Sequence, residues 1–207
     1  MYARMTNVRL DPDRLDQVIA AYEQKVVGVV RQLPGYVGAV LDVDRDTGEG
    51  WGLIYWESLA ALNASEEESS RIRPGASASA GVSIVDVERY EMVISERRAG
   101  GSRSGAAARV NELYAPPEKL DDAIAVIREA TPRILEQKGC LGLVMGVNRM
   151  TGRAFAASIW ETAADREASE EAVAGTRREA SQVAGVQPKI VRPEVAFVEM
   201  KQPARTG

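Results

Sequence analysis

The segment GYVGAVLDVDRDTGEGWGLIYWES, residues 35–58, recurs as GCLGLVMGVNRMTGRAFAASIWET, residues 139–162. The two copies lie 104 positions apart, and Ala64-Ser65-Glu66-Glu67 returns at the same spacing as Ala168-Ser169-Glu170-Glu171. A repeat that includes turns, strands and the start of a helix indicates that one folding unit has been duplicated. We therefore predict two homologous units in tandem, each of about 100 residues.

The first copy opens with a strand and a long helix. Residues 4–10 alternate between apolar and polar side chains, which predicts a strand. Asp11-Pro12 is typical of a helix start, and apolar residues from Leu15 to Leu33 then recur at three- and four-residue intervals. Pro34-Gly35 ends this amphipathic helix.

The rest of the first copy reads as a hairpin, a helix and a last strand. Strands at 36–44 and 51–56 flank a turn rich in Asp and Gly. Ser58 can cap a second helix that ends near Arg71, and the Pro74-Gly75 pair with its small-residue continuation through Gly81 predicts a loop. The final strand covers residues 83–94, so the order is β-α-β-β-α-β.

The second copy repeats this order. Pro116-Pro117 opens its first helix, and Thr162 with Asp165 resembles a capping box at the start of its second helix. The strands are predicted near residues 109–114, 140–148, 153–160 and 189–200. The expected domains are residues 1–97 and 107–200, joined by a flexible Gly/Ser/Arg linker at 98–106 and followed by a flexible tail at 201–207.

A β-α-β-β-α-β unit forms a four-stranded antiparallel sheet with both helices on one face. The other face carries apolar residues that need cover, namely Val40, Leu53, Tyr55, Val144 and Ala157. Two such sheets facing each other would meet that need. The predicted fold class is therefore α+β, with two tandem ferredoxin-like βαββαβ units forming an intramolecular dimeric α/β barrel.

Composition excludes several kinds of chemistry. The chain of 207 residues contains no histidine and a single cysteine, so we expect no His general base, no metal site and no disulfide framework. Its net charge of −4 gives no reason to expect nucleic acid or a membrane as a partner. The N-terminal residues lack the apolar stretch of a signal peptide, which favours a cytoplasmic location.

The pattern of Leu33-Pro34-Gly35-Tyr36-Val37-Gly38, a hairpin, and then Tyr55-Trp56-Glu57-Ser58 resembles the antibiotic-biosynthesis-monooxygenase-like proteins of the dimeric α/β-barrel superfamily. The second copy, from Lys138-Gly139 to Ile159-Trp160-Glu161-Thr162, is similar to them as well. The resemblance implies the barrel fold, and it implies either cofactor-independent oxygenation of polycyclic phenols, haem degradation or a signal-related role.

The haem-degrading branch of this family uses an Asn on the first strand, a Trp in the second helix and a His at the end of that helix. The Asn position falls on Thr6 and Asn111, whereas the Trp position falls near Asn63 and Glu167. The His position falls near Arg73 and Arg177. Only Asn111 fits, so haem degradation is disfavoured and we expect no cofactor.

Cofactor-free oxygenation requires hydrogen-bonding groups that support a substrate phenolate inside a dry apolar pocket. Arg109 and Asn111 lie two apart on one strand and therefore share a face. We take both as candidate catalytic residues: Arg109 would hold the phenolate and Asn111 would orient it. Thr6, Trp56, Trp160 and Tyr55 are candidate substrate-binding residues. Structural roles, as polar groups at strand ends and as aromatic core anchors, remain open for all six.

Two hypotheses for function follow. In the first, the protein is a monooxygenase-like enzyme that oxidises an aromatic or polyketide-type small molecule in the barrel without a cofactor. In the second, it is a non-catalytic small-molecule-binding or stress-related barrel protein. A third possibility is an interaction module, and exposed sheet edges or helices could also support a homo-oligomer. Because the copies have diverged, we expect one working pocket.

Overall fold

A computed structural model of the protein describes residues 1–98, 101 and 103–201. The chain forms two compact units, one of Met1–Glu88 with Ala196–Gly207 and one of Arg89–Val195. Three residues of the expected linker (99, 100 and 102) and the expected tail after residue 201 lie outside the described residues. The domain boundaries derived from the sequence stay predictions.

Unit 1 is built from the first repeat and the end of the chain. Its strands follow the order β4-β1-β3-β2-β9, and β3 runs antiparallel to both β1 and β2. Helices α1 and α2 connect β1 to β2, and helices α3 and α4 connect β3 to β4. The elements are β1 Tyr2–Arg9, α1 Leu15–Ala21, α2 Gly28–Val30, β2 Tyr36–Asp44, β3 Glu49–Trp56, α3 Leu59–Ala64, α4 Glu66–Ala80 and β4 Ser83–Arg97.

Unit 2 repeats the arrangement with the rest of the chain. Strand β7 pairs antiparallel with β5 and β6, β5 also pairs with β8 and β9, and β6 pairs with the end of β4. The α+β class and the two tandem ferredoxin-like units are therefore confirmed. The elements are β5 Ala107–Tyr114, α5 Leu120–Leu135, β6 Cys140–Val147, β7 Arg153–Trp160, α6 Ala163–Ala168, α7 Glu170–Ala184, β8 Lys189–Val191 and β9 Glu194–Met200.

Strands β4 and β9 are divided between the two units. The unit boundary falls after Glu88 in β4 and after Val195 in β9. The end of β9 is packed into unit 1, where Phe197 meets the ring of Tyr22 edge-on with 5.8 Å between ring centroids. Glu199 accepts a hydrogen bond of 2.9 Å from the Tyr36 hydroxyl. Each unit thus depends on residues from the end of the other repeat.

Both faces of the central strands β2, β3, β6 and β7 are largely buried. On β2 and β3, Leu41, Val43 and Ile54 pack against the helices, as the alternation of side chains on a strand requires. The residues assigned from sequence to the opposite face are also buried, with relative exposures of 8% or less. They are Val40, Leu53, Tyr55, Val144 and Ala157.

The predicted helix caps are confirmed at three positions. Asp11 accepts a hydrogen bond from the Asp13 backbone N–H, and Ser58 accepts one from that of Ala61. Thr162 accepts one from the Asp165 backbone N–H. The Asp165 carboxylate lies 2.6 Å from the Thr162 hydroxyl, so it bonds the capping side chain, unlike a capping-box residue, which bonds the cap's backbone N–H.

The loop predicted at Pro74–Gly81 is wrong, because α4 continues to Ala80. Pro74 lies inside the helix, and Ala76 and Ala80 are buried. Small side chains allow the helix to lie close to its neighbours, and this packing outweighs the poor helix propensity of Pro and Gly. Gly81, with φ +67°, then ends the helix in a left-handed cap.

The last predicted strand, near residues 189–200, is interrupted. Pro193 separates β8 from β9 because it has no N–H to donate to a ladder. Its carbonyl still accepts a hydrogen bond of 2.9 Å from the Ala108 backbone N–H.

The first helical segment of unit 1 differs from the uniform helix that its sequence predicts. A 3-10 turn at Pro12–Arg14 leads into α1, and a π-helical stretch, Tyr22–Val27, separates α1 from α2. In unit 2, α5 is regular from Leu120 to Leu135. Strand β1 aligns with β5 at an offset of 105, as in Arg4 and Arg109, whereas later elements align at 104. Unit 1 therefore contains one extra residue, which the π-turn absorbs.

Candidate functional site

Each unit contains a cleft lined by its sheet and its helices. The cleft of unit 1 (cleft 1) has an empty volume of about 750 Å³ and that of unit 2 (cleft 2) about 660 Å³, in both cases including space open to solvent. The clefts occupy equivalent positions, since Arg4 and Ala76 line the first and their counterparts Arg109 and Ala180 line the second.

Arg4 is buried in the wall of cleft 1 and is held on several sides. Its Nη1 donates to Ser65 Oγ at 2.9 Å and to Ser69 Oγ at 2.7 Å. Its Nη2 donates to the Leu62 carbonyl and to Glu66 Oε2, both at 2.9 Å. Arg4 thereby ties β1 to the junction of α3 and α4.

Arg109 has the same role in unit 2. Its Nη1 donates to Ser169 Oγ at 3.0 Å and its Nη2 donates to the Arg166 carbonyl. Its Nε lies 3.1 Å from Glu170 Oε2, and its guanidinium stacks over Trp160 at 5.8 Å. Burial lowers the pKa of Arg109, and the charge of Glu170 opposes this shift. Because both Nη atoms are engaged, the geometry favours a positioning role for Arg109.

A second arginine shares the glutamate in each unit. In unit 2, Glu170 Oε1 accepts from Arg177 Nη2, and this bond lowers the pKa of Glu170. The other terminal nitrogen, Arg177 Nη1, is buried and has no hydrogen-bond partner among the described residues. In unit 1, Arg73 Nη2 lies 3.8 Å from Glu66 Oε1. Arg177 and Arg73 line cleft 2 and cleft 1 respectively, and in each unit one glutamate lies near two arginines.

Asn111 lines cleft 2 on the same strand face as Arg109. Its amide Nδ2 makes only a long hydrogen bond, of 3.4 Å, to the Ala156 carbonyl. Its Oδ1 is buried and has no hydrogen-bond partner within the described chain. A buried amide oxygen without a donor is costly unless a ligand supplies one, so Asn111 is well placed to accept a hydrogen bond from a bound hydroxyl.

Cleft 1 has a different set of side chains at the matching positions. Thr6 replaces Asn111, and Tyr22 stands where unit 2 has Ile127. The Tyr22 hydroxyl lies 3.0 Å from both the Val40 and Leu53 carbonyls, which fixes the ring against the sheet. Gly52 makes this approach possible, because a Cβ there would lie 3.0 Å from the Tyr22 ring.

The aromatic candidates lie outside the two clefts' linings. Trp56 and Trp160 are fully buried. Trp56 packs edge-on against Tyr36 in the core, and Trp160 Nε1 donates to Ser158 Oγ at 2.9 Å. Tyr55 alternates with Ile54 on β3 and points away from cleft 1. The structure thus brings Arg109 and Asn111 together in cleft 2 and places Thr6 in cleft 1.

Sequence reasoning named Arg73 and Arg177 as residues near the His position of the haem-degrading branch, and neither was chosen as a candidate site residue. The available signal was their recurrence 104 positions apart, together with the shared Glu66 and Glu170. Tyr22 was read as one apolar position of an amphipathic face. Its contact with two carbonyls depends on Gly52 and on the π-turn, which no periodicity reveals.

The described residues contain no group of three or more Cys, Asp or Glu side chains able to hold a metal ion. None of their helices combines the length and the apolar character that crossing a bilayer would require. Burial raises the pKa of the Cys140 thiol, which makes it a poor nucleophile.

Comparison with known proteins supports the resemblance. Residues 1–70 match the family model described as antibiotic biosynthesis monooxygenase. An uncharacterised protein of Mycobacterium tuberculosis is 26% identical over 163 residues, which cover 78% of this chain and 72% of the relative.

Among solved structures, an anthrone oxidase-like protein is 16% identical and superposes with a TM-score of 0.67, covering 96% of this chain and 93% of its own. A heme-degrading enzyme from Listeria monocytogenes is 10% identical with a TM-score of 0.51, covering 94% and 99%. At these identities the likeness establishes the fold alone. The chain is thus similar over residues 1–70 to the antibiotic biosynthesis monooxygenase family, and over nearly its whole length to these structures in its fold.

Proposed function

We propose that the protein is a cofactor-independent monooxygenase that oxidises a flat phenolic molecule of the anthrone or polyketide type in cleft 2. The observation that carries this proposal is that one largely apolar cleft contains both a buried acceptor and a buried donor for which the described part of the chain supplies no hydrogen-bond partner. These are Asn111 Oδ1 and Arg177 Nη1.

The reaction requires only a few hydrogen-bonding groups from the protein. An anthrone and O₂ give a quinone and water, and the difficult step is electron transfer to O₂ from the deprotonated substrate. Asn111 Oδ1 accepts a hydrogen bond from the substrate hydroxyl and orients it. Arg177 Nη1 donates to the oxygen that becomes negative as the proton passes to solvent. Such prepositioned groups act most strongly where the surrounding surface is apolar, as most of the lining of cleft 2 is.

Arg109 supports this reaction as a positioning residue. It holds Glu170 on one side while Glu170 holds Arg177 on the other. The orientation of the Arg177 guanidinium therefore depends on a chain of charges anchored in β5. A substrate phenolate would accept a hydrogen bond from Nη1, the terminal nitrogen of Arg177 that does not bond Glu170.

Oxygen uptake and product analysis on a panel of anthrones and hydroquinones tests the proposal. Asn111→Leu, which keeps the volume and removes the acceptor, should lower kcat/KM by about 10²-fold. Arg177→Gln should have a similar effect. The neighbouring Arg178→Gln, on an exposed residue, serves as the control and should retain wild-type turnover.

Absence of turnover in the wild-type protein over the whole panel would overturn the proposal, as would full activity of Asn111→Leu. Either result would favour the alternative hypothesis, in which the protein is a small-molecule-binding or stress-related protein without catalysis. The specific observation in its favour is cleft 1, which has the larger volume and no amide acceptor. A cytoplasmic location and a homo-oligomeric state both stay predictions.

A further inference from the structure

Cleft 1 has little polarity available to a ligand. Most of its polar lining groups are already engaged: Arg4 holds Ser69, Ser77 Oγ donates to the Pro74 carbonyl, and the Tyr22 hydroxyl is bonded to backbone carbonyls. Two lining residues remain for which the described structure contains no side-chain hydrogen bond, Thr6 and Arg73.

The charge of the cleft 1 wall is not balanced. Glu66 Oε2 bonds Arg4, and Glu66 Oε1 accepts from Ser70 Oγ at 2.8 Å. Arg73 Nη2 is left 3.8 Å from that second oxygen and is itself buried. A buried guanidinium nitrogen that lies beyond hydrogen-bonding distance from Glu66 and has no other hydrogen-bond partner among the described residues is an unsatisfied donor, which favours a further anion.

The remaining lining is aliphatic. It consists of valine, leucine, isoleucine and alanine side chains from β1–β4, α1, α4 and the π-turn, among them Val18, Val26, Ile54, Ile72, Ala76 and Val82. Burial of an apolar body against this surface is favourable by the hydrophobic effect. The cleft therefore combines a long aliphatic wall with a single cationic donor.

We propose that cleft 1 is a second ligand site, which binds an apolar carboxylic acid with its carboxylate on Arg73 and its hydrocarbon body along the aliphatic wall. The Thr6 hydroxyl is the other donor available to the carboxylate. The site is independent of the reaction proposed for cleft 2, since it has no counterpart of the Asn111 amide. One chain thus carries two clefts of different ligand chemistry.

Calorimetric titration of the full chain with decanoate, and with decanol as the uncharged probe, tests the proposal. Matched substitutions fill one cleft at a time, because Ala76 and Ala180 are equivalent lining residues. Ala180→Phe should leave one decanoate site, and Ala76→Phe should abolish it. In the Ala180→Phe protein, Arg73→Gln should weaken decanoate binding about tenfold or more and leave decanol binding unchanged.

Arg73 is partly exposed and makes no hydrogen bond to the described residues, so Arg73→Gln should fold normally. If Ala76→Phe does not fold, the binding measured with Arg73→Gln tests the proposal on its own. Arg73→Lys should recover part of the lost affinity because it restores the charge. Equal decanoate affinity in the wild type and Arg73→Gln would overturn the proposal. Loss of all decanoate binding in Ala180→Phe would do so too. Turnover of anthrones is measured separately, so either proposal can fail alone.

Discussion

Arg109 shows what a buried charge contributes at the scale of one residue. With 1% of its side chain exposed, it organises Ser169, Glu170 and the Arg166 carbonyl. We expect Arg109→Met to lower the free energy of unfolding by about 3 kcal/mol, because these groups then lose their partner inside the protein. Urea denaturation followed by circular dichroism measures the change.

The control for this substitution is Arg178→Met, on an exposed residue of α7, which should change stability by less than about 0.5 kcal/mol. Equal stability of Arg109→Met and the wild type would show that the Arg109 network contributes nothing net. If Arg109→Met unfolds, Arg109→Lys provides a milder version that keeps the charge and loses the fork geometry.

Asp42 provides a pH-dependent prediction. It lies on the face of β2 opposite Leu41 and Val43, and its Oδ1 is buried without a hydrogen bond from the described residues. Burial raises the pKa of Asp42 to about 7. The folded state therefore holds a proton that the unfolded chain releases above about pH 4, so this group makes stability fall as pH rises from 4 to 7.

Asp42→Asn removes that dependence. Relative to the wild type, we expect its free energy of unfolding to rise progressively between pH 4 and pH 7 and to exceed the wild-type value by about 2 kcal/mol at pH 8. Residual exposure of the residue limits the gain. Thermal unfolding over a pH series measures it, and a difference between the two proteins that is constant with pH would contradict the assignment.

At the level of residues, the sequence predicted part of the geometry and only part of the chemistry. The hypothesis from sequence placed the substrate in the barrel, whereas Arg109 and Asn111 line cleft 2, between the sheet and the helices of unit 2. The two-residue spacing of Arg109 and Asn111 showed only that they share a strand face. It could not show that Arg109 is bonded to groups 57 to 60 positions further along the chain, because such contacts exist only after the helices dock. Asn111 was found because it falls on the Asn position of the haem-degrading branch of the family that the sequence resembles.

At the scale of elements, the π-turn illustrates how an insertion is accommodated. The π-turn at Tyr22–Val27 accommodates one residue more than the regular helix of unit 2. The residues on either side of the turn therefore lie on the same helix face as their counterparts in unit 2. Tyr22, the first residue of the turn, corresponds to Ile127, and Val30 after the turn corresponds to Ile134. All four line their clefts. The change of offset from 105 to 104 is the sequence signal.

Deletion of Lys25, an exposed residue of the π-turn, should therefore be tolerated. The shortened segment can adopt the regular geometry of α5, so we expect its free energy of unfolding to stay within about 1 kcal/mol of the wild-type value. Deletion of Glu129 from α5 is the matched control. It rotates one half of a regular helix by about 100° and should destabilise the protein severely. Chemical denaturation compares the two, and equal losses would refute the explanation.

The segment at Pro74 shows why composition misled the assignment of α4. Pro, Gly, Ser and Ala in succession are typical of loops, yet Ala76 and Ala80 are buried and the segment forms the last two turns of the helix. The equivalent position in α7 is Arg178, within a stretch free of proline. Comparing the two copies would have corrected the prediction, since α7 reads as a helix to Ala184.

Pro74→Ala restores the missing N–H to α4. Pro74 is exposed, so the change creates no cavity, and the new backbone donor can bond the Ser70 carbonyl. We expect the free energy of unfolding to rise by about 1 kcal/mol. Thermal unfolding measures this gain. A decrease in stability would mean that the proline ring makes a favourable contact that outweighs its helix penalty.

At the scale of the whole molecule, the two repeats are not two separable domains. Unit 1 includes the chain from Ala196 onward, so its core is completed by residues at the far end of the sequence. Ala196 is part of the cluster with Leu15 and Val18, and Phe197 packs against two clusters of unit 1. The repeat predicted two units, whereas the exchange of strand ends arises from pairings that sequence periodicity does not encode.

Truncation after Val195 should consequently destabilise the opposite end of the chain. It removes Phe197 from the Tyr22 ring and Glu199 from the Tyr36 hydroxyl and from Arg31, 3.5 Å away. Hydrogen exchange read by mass spectrometry should show lost protection in β1, β2 and α1, with a smaller change in α5–α7. Phe197→Ala is the milder variant and should cost about 2 kcal/mol. Unchanged protection of β2 in the truncated protein would mean that unit 1 is complete without the C-terminal strand.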